Sequence, residues 1–76
     1  MTVDWEEYHR LAFAVGQKRS GLKFQRELLE RVIEKGYPEE YLYLQRAWIV
    51  ECEKGLARAQ KNYEDRYGKV DWDLTT

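Results

Sequence analysis

Seventy-six residues allow one domain, and a chain this short buries only part of its surface on folding. Apolar residues make up 43% of it, with three Trp and six Tyr, which excludes a disordered tail and exceeds what one small core hides. The formal charge of −1 lacks the basic excess of a typical nucleic-acid binder, and a lone cysteine, Cys52, excludes an internal disulfide. No charged-then-apolar leader and no apolar run of about 18 residues is seen, so the expected setting is cytoplasmic, away from membranes.

A first helix is expected over residues 4–19. Asp4 can cap it, with Glu7 three residues on reaching back as in a capping box. Trp5, Tyr8, Leu11, Ala12 and Val15 supply its apolar face. The stretch Gly16 to Gly21 reads as a break near Ser20, a residue suited to cap a second helix over 21–35. Continuation of one helix through the glycines is the alternative. Phe24, Leu28, Leu29, Val32 and Ile33 form the second helix's stripe, and Lys35-Gly36 followed by Pro38 ends it.

Residues 38–67 are expected to form one long helix, on which the rest is organised. Pro38 suits a first helical position, Glu39 and Glu40 suit the helix dipole, and Gly68 marks the end. Tyr41, Leu44, Trp48, Cys52, Gly55, Ala59, Tyr63 and Arg66 follow spacings of 3 and 4 close to an 11-residue repeat, which predicts a nearly straight stripe. At 1.5 Å per residue the helix is about 45 Å long, more than a core of this size spans, so part of it should meet something else. Leu42, Tyr43, Ala47, Ile49 and Val50 add apolar side chains around the first half, which is expected to be buried on several sides. Gly55 costs about 1 kcal/mol relative to Ala in a helix interior, which points to a packing reason for it.

The short Gly36–Pro38 connection forces an antiparallel pair. The expected fold is therefore all-α: residues 1–76 as one domain, a helical hairpin built on the long C-terminal helix, with a shorter N-terminal helix and an extended tail over 69–76. In that tail Val70, Trp72 and Leu74 alternate with acids, a period of two that suits an extended segment with one apolar edge.

Chemistry-bearing constellations are sparse. Glu6 and His9 have the spacing of a di-iron Glu-x-x-His pair, but a site needs further carboxylates, and chance is the preferred reading. Cys52 lies on an apolar stripe with no histidine near it in sequence, so it reads as a small hydrophobe. No phosphate loop, catalytic triad or zinc-ligand cluster occurs, so no catalytic residue, metal or cofactor is assigned.

Residues 8–26 carry Arg10, Lys18, Arg19, Lys23 and Arg26 without an acid, a local charge of about +5. Lys18, Arg19, Lys23 and Arg26 are candidate phosphate contacts, although a solvated helix face is preferred for them. Val70, Trp72 and Leu74 could anchor to a partner's groove, or fold back on the hairpin. With Tyr41 and Trp48 they are the candidate partner-binding residues. The expected function is a non-enzymatic protein-interaction module acting on a protein partner, self-associating as a homo-oligomer with a dimer favoured; a nucleic-acid-associated protein is the alternative, and a metal-dependent oligomer a distant third.

Overall fold

The computed structural model describes residues 4–75; the side chains of Leu74 and Thr75 and all of 1–3 and 76 lie outside the described part. Among these residues the architecture is all-helical, an antiparallel hairpin of α1 (Trp5–Glu34) and α2 (Glu39–Tyr67), followed by a short 3₁₀ turn (Trp72–Thr75). The hairpin is long and thin, 56 × 19 × 18 Å.

The starts and stops are set locally. Asp4 caps α1 by accepting a hydrogen bond from the Glu7 amide at 3.1 Å. The reciprocal half of the expected capping box is not made, because the Glu7 carboxylate instead pairs with Arg66 across the hairpin. At the other end Gly36, at φ +70°, takes the left-handed conformation that lets its amide reach the Ile33 carbonyl at 3.1 Å and the Tyr37 amide reach Val32 at 3.3 Å. These two bonds form a Schellman turn, which satisfies the last carbonyls of α1 and reverses the chain.

Two expectations are corrected. Residues 4–19 and 21–35 are not separate helices: α1 runs unbroken through Gly16, Ser20 and Gly21. Two helical glycines cost about 2 kcal/mol together. Burial of Val15 and Leu22 against α2, before and after Ser20, holds the segment helical at that cost.

The second correction concerns which face packs in the first half of α2; in the second half the expected Cys52, Gly55, Ala59 and Tyr63 are buried or half-buried. The covered line of α1 is Tyr8, Leu11, Val15, Lys18, Leu22, Gln25, Leu29 and Val32, and that of α2 is Leu42, Gln45, Ile49, Cys52, Leu56, Ala59 and Tyr63, joined across the hairpin by Tyr8 with Tyr63 and by Gln25 with Gln45. Both sets alternate spacings of 3 and 4, an average of 3.5, and all but Lys18 are buried or half-buried. This is the heptad seam of a two-helix coiled coil rather than the straight stripe expected from an 11-residue repeat. Tyr41, Leu44 and Trp48 sit one position off the seam and face outward. The first half of α2 is thus covered along one line only, and Tyr43, Ala47 and Val50 are exposed as well.

Gly55 is buried on the seam's edge, where the Lys18 side chain crosses it; a Cβ there would lie 3.7–3.9 Å from Lys18 Nζ, Cε and Cδ. The lysine stem covers the helix backbone while its ammonium stays near water. At the open end Tyr8 packs edge-on against Tyr67 with centroids 5.3 Å apart, and Tyr63 lies 5.9 Å from Tyr8.

Candidate interaction surface

The sharpest feature of the molecule is what it leaves uncovered. Phe24 is 54% exposed, Tyr41 58%, Leu44 63% and Trp48 55%, the values of residues that no element of the chain covers. On α2, Tyr41, Leu44 and Trp48 stand at i, i+3 and i+7 and so share one face. On α1, Phe24, Leu28 and Arg31 stand at i, i+4 and i+7 and share another. The two faces adjoin: Leu28, Arg31, Val32 and Lys35 line one shallow groove with Tyr37 and Tyr41. Tyr37 and Tyr41 pack ring against ring at 5.7 Å, extending the aromatic surface to the turn.

Two of the sequence's candidate residues, Tyr41 and Trp48, therefore belong to one apolar face. Phe24 and Leu44 join them, although the sequence pattern placed both on buried stripes. Their outward position could have been read from the heptad phase, since neither falls on the 3.5-residue seam.

The tail is arranged differently from the extended segment expected. Gly68, at φ +94°, turns the chain back, and the Glu64 carboxylate accepts from the Val70 amide at 3.4 Å and from Trp72 Nε1 at 3.3 Å. Asp71 then accepts from the Asp73 amide at 3.1 Å, opening the 3₁₀ turn. Trp72 lies edge-on to Tyr63 at 5.5 Å and is half-buried. Val70 is half-buried as well, and the Leu74 side chain is among those not described. The period-two edge is lost because a 3₁₀ turn rotates successive side chains by about a third of a turn, where a strand alternates them.

The basic candidates are split. Arg19, Lys23 and Arg26 line a groove with Gly16, Ser20, Leu22 and Leu56, on the side of the seam opposite the aromatic face. Lys18 is not with them, since its side chain crosses Gly55 on the other edge. Glu6 and His9 are exposed near the open end, and among the described residues no three His, Cys, Asp or Glu side chains converge as a metal site. Cys52 is half-buried in mid-helix. In the register of the hairpin it lies about 15 Å along the axis from the level of His9.

At the open end three groups are shifted from their ordinary values. The hydrogen bond to Glu7, reinforced by its charge, raises the Arg66 guanidinium above its ordinary value. Tyr63 is raised first by hydrogen bonding with Tyr8 and then by burial; Tyr67 is raised first by burial and then by the Glu7 charge. These shifts surround an aromatic latch of Tyr8, Tyr63 and Tyr67. No described helix is long and apolar enough to cross a membrane. No protein-family model matches this chain, and no curated protein and no solved structure matches it.

Proposed function

We propose that this chain is a non-enzymatic protein-interaction module whose working surface is the aromatic face of Phe24, Tyr41, Leu44 and Trp48. The observation that carries the reading is the exposure of Trp48, on a hairpin whose own seam is complete without it. Tryptophan and tyrosine are favoured anchors at protein contacts because they cover a large area at small cost in conformational entropy. The tail is the lesser anchor, since Trp72 is already engaged with Tyr63 and Glu64.

Affinity co-purification with nuclease treatment tests this. A protein contact should survive nuclease, disappear with Trp48→Glu and persist in a chain truncated after Lys69. Loss on truncation with no effect of Trp48→Glu would move the anchor to Val70, Trp72 and Leu74.

A second reading, contact with nucleic acid, is favoured by the gathering of Arg19, Lys23 and Arg26 around one groove. Three phosphate contacts give a slope of roughly −3 in log affinity against log salt, whereas an aromatic-anchored protein contact changes little. A salt titration separates the two.

A further inference from the structure

We infer that the occupant of the aromatic face is a second copy of this chain, joined about a two-fold axis near Leu44 so that the turn-proximal ends of the two hairpins overlap as four packed helices. This rests on the interaction-module reading and names its partner. The first argument is area. The chain exposes 6373 Å², against about 4,900 Å² for a compact monomer of its mass. Its radius of gyration is 15.7 Å, against about 11 Å for a compact chain of this length. The surplus of about 1,400 Å² exceeds the ~800 Å² that each partner buries in a standard stable interface. One such contact covers more than half of that surplus.

The second argument is availability. No side chain in the described hairpin is fully buried, and two helices joined by one seam give a core too small to hold the fold firmly alone. The cover must therefore be present whenever the chain is folded, and only another copy of the chain meets that condition without a second gene product.

The third argument is charge. Arg31 and Lys35 border the patch at the turn. Glu51, one turn beyond Trp48 on α2, borders it at the other end, with an exposed side chain whose contact to Lys54 is a loose 3.5 Å. A two-fold axis near Leu44 reverses the second copy, so each Arg31 and Lys35 end meets the Glu51 end of its mate. An isologous contact of this kind is closed and does not propagate into a fibre.

The test is the native mass of the purified chain by light scattering at high micromolar concentration, with two variants. The expected result is twice the chain mass, falling to one chain or losing helicity in Trp48→Glu. Because unfolding of that variant would also abolish a dimer, a second variant combining Leu44→Cys with Cys52→Ala is oxidised: thiols beside a two-fold axis should form a disulfide-linked dimer in high yield. A native monomer overturns the inference, as does a dimer that Trp48→Glu leaves intact and that the Leu44→Cys variant fails to cross-link. A native monomer that still captures a protein through Trp48 removes the second copy but keeps the interaction module; a monomer that captures nothing removes both.

Discussion

The side-chain amide of Gln45 donates at once to the main-chain carbonyl of Gln25, at 3.0 Å, and to its Oε1, at 2.8 Å. This pair occupies a seam position on each helix, flanked along α1 by Leu22 and Leu29 and along α2 by Leu42 and Ile49, all buried or half-buried. A polar pair inside an apolar seam fixes register, because sliding one helix by a residue leaves both amides without partners. Gln45→Leu should lower stability by about 1 kcal/mol, the loss of a half-buried hydrogen-bonded pair, and Gln25→Leu with Gln45→Leu should recover most of it. The double variant should also show broadened amide spectra as alternative registers become populated. An unchanged, single set of amide resonances in the double variant would show that the glutamines do not set the register.

Gly16 is exposed inside α1, with nothing within 4 Å of the position a Cβ would take. Gly16→Ala should therefore stabilise the hairpin by about 1 kcal/mol through helix propensity, raising Tm by roughly 4–8 °C. At Gly55 an added Cβ meets only the flexible Lys18 side chain at ordinary contact distance, so Gly55→Ala should also be tolerated. Gly55→Leu has to displace the Lys18 stem and should destabilise. Thermal melts of the three variants decide between propensity and a backbone requirement: a lower Tm for Gly16→Ala would mean that the glycine serves a contact.

The helical class, the hairpin and the turn were legible because they follow from local chemistry: Asp4, Gly36, Pro38 and Gly68 act within a few residues. The phase of the seam was not. Trp48, Tyr41 and Leu44 are more apolar than Gln45, so a hydrophobic pattern leaves the seam in the first half of α2, while Cys52, Ala59 and Tyr63 lie on both lines. The seam can hold Gln45 only because Gln25 stands opposite it, a relation between residues 20 apart. The continuity of α1 had the same cause, since Gly16 and Gly21 are weak breakers whose effect is decided by the helix packed alongside. Tyr41 and Trp48 were singled out in the sequence by their type, and both are exposed, whereas Phe24 and Leu44 were assigned to buried stripes and are exposed as well.

Glu64 holds the tail by two hydrogen bonds, from Val70 and Trp72. Glu64→Ala should free residues 70–75 to exchange amide hydrogens faster, with α1 and the body of α2 unchanged, at a cost of about 1 kcal/mol or less. Glu64→Gln keeps an acceptor oxygen and should restore most of the protection. If exchange in the tail were equally fast in all three proteins, the edge-on packing of Trp72 against Tyr63 rather than the carboxylate would be what holds the turn.

The aromatic latch at the open end makes stability sensitive to alkali. Tyr63 and Tyr67 both titrate above the ordinary tyrosine value in the folded chain, Tyr63 through hydrogen bonding with Tyr8 and burial, Tyr67 through burial and the Glu7 carboxylate. Below about pH 10 both phenols are neutral whether the chain is folded or not, and the latch contributes in full. As pH rises past that value the unfolded chain releases these protons first, so it binds fewer of them than the folded chain and stability falls with pH. The loss continues until the folded-state values are passed. Melting temperatures at pH 9 and 11 should therefore drop more for the native chain than for Tyr63→Phe with Tyr67→Phe, whose rings still pack but carry no ionisable hydroxyl. Lysine titration is common to both proteins and cancels in the comparison; an equal drop in the two would mean that the latch tyrosines are not what couples this fold to pH.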